Sequence, residues 1–313
     1  MKQNKKNKVI VIVGPTASGK TSLSIELAKR INGEIVSCDS MQIYEDLNIG
    51  SAKPTTEEMQ GIKHYLVGEI SPTKRFSVAE YKNLAEKYIE EIIKKGKTPI
   101  VVGGTGLYAN SLIYGIEYQD IEFDEEYRNK LMEIAQTEEG LKSLYEKAKE
   151  IDEKAVNLIS QNDKKRIVRI LEIYNATGKT KTEQEIESRK NQVKYEYYVF
   201  AINIDRPILY ERINKRVDIM INNGLVNEVK DLCKKYSKFP TAMQAIGYKE
   251  IVQYFNGDIT LEEAIEKIKQ ESRRYAKRQI TWFKKIEGIK WLDGLNSTDE
   301  NIEKILEEIN WVK

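Results

Sequence analysis

Apolar residues come in two alternating patterns along the first hundred positions. KVIVIVG (8–14), EIVSCDS (34–40) and TPIVVGG (98–104) are short, β-branched and nearly continuous. Such runs mark strands buried on both faces of a parallel sheet. Between them, TSLSIELAKRI (21–31) and SVAEYKNLAEKYIEEIIKKG (77–96) place apolar residues at helical spacing, the second ending on Gly96 as a C-cap. Strand–helix–strand alternation predicts a mostly parallel sheet with right-handed crossovers.

The pattern changes near Gly115. From there to about Val193 the chain is polar, Lys/Glu-rich and helical in spacing, with no convincing strand. KYEYYVFAINI (194–204) then reads as a strand returning to the sheet. Beyond Arg206 the chain is helical again, apart from a short strand expected at GIKWLD (288–293). The expected organisation is an α/β core from residues 1–114 and 196–313, interrupted by a helical insertion over 115–195. No internal repeat is found, and the low-complexity sequence is confined to the Lys/Asn-rich first eight residues.

Gly14-x4-Gly19-Lys20-Thr21 lies between the first strand and the first helix. A phosphate-binding loop requires that context. Its glycines let backbone N–H groups converge on phosphate oxygens, and the helix N-terminus adds partial positive charge. Lys20 supplies a mobile cation and Thr21 a hydroxyl that can hold Mg2+. The core is therefore P-loop NTPase-like. The loop specifies a diphosphate or triphosphate and leaves the molecule open.

Composition narrows the class only slightly. The 313 residues carry a net charge of +2, which neither requires nor excludes a nucleic-acid partner, because a basic patch can sit inside a balanced total. Cys38 and Cys233 have no metal-ligand or CxxC spacing, in keeping with a reducing compartment. No run reaches the roughly 18 apolar residues of a membrane helix. The basic start is followed by too short an apolar run for a signal peptide. A cytoplasmic protein without a membrane partner is expected. His64, the single histidine, reads as a structural support and makes no histidine-based zinc site.

Two further segments end strands at the same edge. Asp39 follows the second strand, where ligands of open α/β sheets bind, so its carboxylate can take a proton from an acceptor group. An N-cap or turn role is the alternative. VVGGTGLY ends the third strand. Gly103, Gly104 and Gly106 permit close approach there, and Thr105 offers a hydroxyl. Loop and carboxylate together are also what a small-molecule kinase needs. SRRYAKRQITWFKK (272–285) interleaves basic residues with Tyr275, Trp282 and Phe283 and contains no acid. It reads either as an RNA-binding face or as a solvated helix packed through its aromatics.

In order along the chain stand GPTASGKT, SCDSMQIYEDLNIGSAKPT, FSVAEY, VVGGTGLY, NDKKRIVRILEIY, RINKRVDIMINNGLVNEV, AIGYKE and RRYAKRQITWFKK. Together they resemble the tRNA dimethylallyltransferase (tRNA isopentenyltransferase) family from Val9 to about Lys285. DSMQIY followed by GSAKPT is far more specific than the phosphate loop. The resemblance implies transfer of a dimethylallyl group from dimethylallyl diphosphate to an adenosine N6. That adenosine lies 3′ to the anticodon in tRNAs reading codons that begin with U. Gly14, Thr16, Ala17, Ser18, Gly19, Lys20 and Thr21 would then hold the diphosphate, with Mg2+ at Thr21. Asp39 would act as base and Thr105 would orient the reacting groups. Arg216 would contact pyrophosphate, with Arg212 as the alternative.

The anticodon stem-loop of tRNA is the implied partner. By resemblance its contacts fall on Asp39, Ser40, Met41, Gln42 and Thr105 near the target base. Others are Arg128, Lys165, Arg166 and Arg169 in the insertion, and Gln244, Gly247, Tyr248 and Lys249. The last group is Lys277, Arg278, Gln279, Trp282 and Lys284. Tyr44, Tyr108 and Tyr248 are candidates for base stacking or for core packing. Where bacterial members commonly have PHH and NDPQR, this chain has IKHY and NDKKR. No zinc finger is appended, so the resemblance is to the bacterial type, acting as a monomer. Adenylate isopentenyltransferase, acting on free adenine nucleotides, is the nearest alternative enzyme. A non-catalytic RNA-binding regulator is the alternative outside enzymes; intact Lys20, Thr21 and Asp39 speak against it.

Overall fold

The computed structural model describes residues 6–118, 124–188 and 193–311. Among them, six strands build one sheet: β1 (Lys8–Val13), β2 (Gly33–Ser37), β3 (His64–Tyr65), β4 (Thr98–Gly103), β5 (Glu196–Asn203) and β6 (Lys290–Asp293). Their order is β3-β2-β4-β1-β5-β6. Every neighbouring pair is parallel, so the sheet is wholly rather than mostly so. The two-residue β3 has no counterpart among the strands expected from the pattern, because two residues are too short to show a period. It pairs with β2 through Ile35–His64 and Val36–Tyr65. His64 thus belongs to an edge strand, with Nδ1 2.9 Å from the Ile62 carbonyl oxygen, and burial lowers its pKa.

Alternation along the strands divides the core into two layers. Val9, Val11 and Val13 join one apolar cluster with Val101 and Val199, while Ile10 and Ile12 join the other with Ile100 and Phe200. The first layer is closed by Tyr81, Ala85, Ile89 and Ile92 of the helix Val78–Lys94 and by Tyr108, Ala109 and Leu112 of the helix Gly106–Ile113. The second is closed by Leu23, Ile25 and Leu27 of the helix Lys20–Arg30 and by Ile302 and Ile305 of the helix Thr298–Glu308. Burying each such aliphatic side chain contributes about 1.5–3 kcal/mol.

Adjacent strands β1 and β4 therefore send their chains to opposite faces. The loop after β1 leads to the Lys20 helix on one side. The loop after β4 leads to the Gly106 helix on the other. A crevice opens at such a switch point, beyond the carboxyl ends of the strands. The β2 end, carrying Asp39, lies on the far side of β4. Gly103 sets the spacing there: a Cβ on it would meet the Cys38 carbonyl oxygen at 2.0 Å. Cys38 itself donates its N–H to the Val102 oxygen at 2.7 Å.

The chain forms two compact units, Met1–Ile113 with Val193–Lys313 and, separately, Tyr114–Gln192, against the 115–195 insertion expected from the pattern. In the second unit, the helices Glu125–Ile134, Glu138–Ile151 and Lys164–Thr177 are N-capped by Asp124, Thr137 and Asp163. They enclose their own core of Leu131, Leu141, Leu144, Ile167, Ile170 and Leu171. Residues 119–123 and 189–192 of the expected helical stretch lie outside the described residues. So do 1–5 of the Lys/Asn-rich start. Among the described residues, no helix is long and apolar enough to cross a membrane.

Gly103→Ala should destabilise the protein by about 1–3 kcal/mol or more, because backbone rather than a movable side chain occupies the space. A urea midpoint shifted well below that of the wild type is the expected reading; an unchanged midpoint would remove the packing argument.

Candidate active site

The phosphate loop turns through two left-handed residues, Ala17 at φ 62° and Gly19 at φ 86°. This conformation gathers successive N–H groups into an anion-binding concavity. Gly19 caps the helix Lys20–Arg30 without a side-chain hydrogen bond, so its first turn carries no protein acceptor of that kind. Lys20 Nζ donates to the Pro15 carbonyl at 2.6 Å and reaches Ser18 Oγ at 3.5 Å. Burial, then the neighbouring Arg216 guanidinium, pulls the Lys20 pKa down to about 7, opposed by Asp39.

Asp39 stands across the cleft. Its Oδ1 accepts the N–H groups of Met41 (2.9 Å) and Gln42 (3.2 Å), and Oδ2 has no protein partner among the described residues. One oxygen orients the carboxylate and the other is left for chemistry. Thr105 ties this segment to the loop after β4: its Oγ1 accepts Ser40 N–H at 3.0 Å, and its own N–H donates to the Cys38 oxygen at 3.1 Å. Burial pushes the Cys38 thiol and the Tyr275 hydroxyl each up to about 12. Both stay protonated near neutrality, which leaves the Asp39 carboxylate as the candidate base beside them. Burial also lowers the pKa of Arg216, against the attraction of Asp39.

Thr16, Lys20, Thr21, Asp39 and Arg216 line one cleft of about 410 Å³. Arg212 is exposed on its helix and is not among the lining residues. One wall of the cleft is apolar. Ile213, Val217 and Met220 present successive turns of the helix Arg206–Asn222, and Ile268 joins them from the helix Leu261–Phe283. This wall is absent from the expectations above, although its i, i+4, i+7 spacing around Arg216 is visible in the sequence. Among the described residues no group of three acidic, histidine or cysteine side chains is placed to hold a metal. A hydroxyl plus diphosphate oxygens and water is nevertheless a suitable Mg2+ donor set, and the exposed Thr21 hydroxyl fits it.

The residues expected to meet RNA separate into two kinds. Lys277, Arg278, Trp282 and Lys284 are exposed on the helix Leu261–Phe283 and its C-cap, with Arg278 5.7 Å from the Tyr275 ring centroid. Gln279 turns inward, on the buried stripe of Ala276 and Phe283. It is buried, accepts Thr16 N–H at 3.0 Å and donates to the Gly104 oxygen at 2.9 Å. Its expected RNA contact is corrected to a brace between two loops. A Cβ on Gly106 would meet the Trp282 ring at 2.3 Å, which explains that glycine. Tyr248 is likewise corrected: it is fully buried and donates its hydroxyl to Glu228 at 2.7 Å. Tyr44 and Tyr108 are also core residues, Tyr108 stacked on Tyr81 with centroids 3.9 Å apart.

Gln244 is exposed, Gly247 lines the cleft at φ 97°, and Lys249 pairs with Glu250 at 3.4 Å. Ser40, Met41 and Gln42 line the cleft beside Asp39. In the second unit, Arg128 bonds both oxygens of the buried Glu172 at 2.9 and 2.7 Å, with Arg169 at 4.0 Å. Arg166 pairs with Asp163 at 3.2 Å, and Lys165 is exposed.

A phosphate-binding loop, a carboxylate and an apolar wall in one cleft would suit transfer of an apolar group from a phosphorylated donor. Comparison with known proteins agrees. The family described as IPP transferase matches residues 42–286. The tRNA dimethylallyltransferase of Acetivibrio thermocellus is 52% identical over 304 residues, 97% of this chain and 96% of that protein. Among solved structures, the full-length tRNA isopentenylpyrophosphate transferase of Bacillus halodurans has a TM-score of 0.73 at 42% identity, covering 97% of this chain and 96% of that one. A eukaryotic dimethylallyltransferase acting on tRNA has a TM-score of 0.79 at 31% identity, covering 97% of this chain and 79% of that one. With likeness of this extent in sequence and fold, the chain belongs to the IPP transferase family.

Proposed function

We propose that the protein transfers the dimethylallyl group of dimethylallyl diphosphate to N6 of the adenosine 3′ to the anticodon, in tRNAs reading codons that begin with U. It acts as a cytoplasmic monomer. The observation carrying this reading is the cleft itself, where the cationic diphosphate seat, the Asp39 carboxylate and the apolar wall share one space. A phosphoryl-transfer enzyme carries no apolar group on the phosphates it transfers. A five-carbon allylic tail would lie against such a wall.

In this mechanism the allylic carbon–oxygen bond breaks as the carbon–nitrogen bond to N6 forms. The N6 proton passes to Asp39 Oδ2, and pyrophosphate leaves. Loop amides, Lys20 and Arg216 hold the charge that grows on the leaving oxygens, in a site already partly stripped of water. Mg2+ held by Thr21 and the diphosphate would supply further charge neutralisation. Asp39 sharpens a nucleophile whose lone pair is delocalised into the adenine ring. The exposed Lys277, Arg278 and Lys284 suit a phosphate backbone, and Trp282 suits an unstacked base. The target base must leave its stack to bring N6 into the cleft.

The direct test mixes the protein with Mg2+, labelled dimethylallyl diphosphate and unmodified tRNA, and looks for N6-isopentenyladenosine. Label on free AMP alone would move the assignment to an adenylate prenyltransferase, and ATP-dependent phosphorylation of a small acceptor would move it to a kinase.

Asp39→Ala should lower kcat about 10²–10⁴-fold with tRNA affinity nearly unchanged; a retained single-turnover rate would remove Asp39 as base. Lys20 must be protonated to hold a diphosphate, and its free-cleft pKa is about 7. Calorimetry should therefore show the pyrophosphate affinity ratio of wild type to Lys20→Met shrinking about tenfold per pH unit above that value. A ratio constant from pH 6 to 9 would contradict the shifted lysine. Lys277→Gln with Arg278→Gln should weaken tRNA binding and flatten its salt dependence by about 0.7–0.9 for each phosphate no longer neutralised. A wild-type slope would leave both cations facing solvent.

A further inference from the structure

Glu228, in the first turn of the helix Leu225–Lys235, is not a cleft residue, yet its carboxylate is fully engaged. Oε2 accepts the backbone N–H groups of Asn48 (3.1 Å) and Ile49 (2.8 Å). Oε1 accepts the N–H of Gly50 (3.1 Å) and the hydroxyl of Tyr248 (2.7 Å). The Tyr248 ring presses on the same turn, since a Cβ on Gly50 would meet it at 2.4 Å. Three consecutive N–H groups and a buried hydroxyl thus converge on one carboxylate. Charge-assisted hydrogen bonds of this kind are roughly twice as strong as neutral ones.

The clamped turn continues into the cleft, where Gly50, Ser51 and Ala52 form part of the lining. Ala52 is left-handed at φ 49°, a conformation that needs support from its surroundings. The Ser51 and Ala52 carbonyl oxygens accept Gln42 Nε2 at 3.4 and 3.0 Å. Those bonds fix which way the Gln42 amide points. Its Oε1 is left as an acceptor with no protein partner among the described residues. Gln42 also donates its backbone N–H to Asp39 Oδ1. A continuous chain of hydrogen bonds therefore runs from Glu228 through the 48–52 turn and Gln42 to the catalytic carboxylate.

We propose that Glu228, braced by Tyr248, is a positioning residue for the acceptor nucleobase. It holds the 48–52 turn so that Gln42 presents Oε1 to an amino group of the acceptor base beside Asp39. This rests on the transfer reaction proposed above. The diphosphate seat shares no hydrogen bond with this clamp, so the two substrates should respond differently to its loss.

Glu228→Gln keeps the shape but sets an amide N–H against backbone N–H donors. Expected results are a fall of tenfold or more in kcat/KM for tRNA, a KM for dimethylallyl diphosphate within twofold of wild type, and a nearly unchanged melting temperature. Gln42→Leu added to Glu228→Gln should cost little more, because both changes remove one element. Amide hydrogen exchange should accelerate at residues 48–52 and stay unchanged at 14–21. Parallel loss of both substrates with a lowered melting temperature would reduce Glu228 to a scaffold residue and overturn the proposal. Additive effects with Gln42, or unaltered exchange at 48–52, would overturn it as well. If wild-type protein prenylates no tRNA, the transfer reading fails in that arm, and the exchange arm still decides whether the clamp exists.

Discussion

One side-chain amide sets the geometry of the cleft. Gln279 accepts the Thr16 N–H with its oxygen and donates to the Gly104 carbonyl with its nitrogen. Both groups lie beyond strand ends, where no ladder partner is available. Leaving a buried one unpaired costs about 1–3 kcal/mol. Gly104 makes the contact feasible, because a Cβ there would sit 2.2 Å from Gln279 Nε2. One helical turn on, Trp282 covers Gly106 in the same manner. The helix Leu261–Phe283 thus braces the cleft with one face, exposes Lys277 on another, and holds the exposed Arg278 at the cleft edge. The proposed anion seat and RNA face share a single helix.

Charge supplies the second constraint. Burial disfavours the ionised forms of Lys20 and Arg216, the Arg216 guanidinium adds to the effect on Lys20, and Asp39 offsets only part of that cost. In the proposed reaction, a diphosphate beside Lys20 favours its protonated form. The negative charge of the diphosphate is concentrated further as the allylic bond breaks. Interactions that strengthen in the transition state are the ones that raise the rate. The apolar wall of Ile213, Val217, Met220 and Ile268 offers no competing polar contact to the tail. The cleft therefore separates the leaving group from the group transferred by polarity alone.

Particular elements show why some of this was legible and some was not. β1, β2, β4 and β5 announce themselves through runs of β-branched residues, and GIKWLD contains β6. β3 is two residues long and exists only because β2 offers it an edge. The phosphate loop was readable because strand, loop and helix follow one another without a gap, and Asp39 because it stands two residues past the end of β2. Gln279 stands among cations and aromatics, and its neighbours suggested RNA contact. The buried stripe of Ala276, Gln279 and Phe283 puts it on the inner face, a period that the basic residues obscured. For Tyr248 the structure shows the core-packing alternative, although nothing local to AIGYKE indicates that its ring fills the space above Gly50.

By itself, the sequence determined the α/β class, the phosphate-loop spacing, the place of Asp39 past a strand end and the family likeness. Each depends on residues close together along the chain, where spacing and geometry are directly linked. The tertiary structure alone decided which residues face the cleft. It selected Arg216 over Arg212, turned Gln279 and Tyr248 inward, and assembled the apolar wall from two helices. It also joined Glu228 to a turn 178 residues away in sequence. Such pairings arise when separate elements pack on the two faces of the sheet, and no local period encodes which distant groups will meet there.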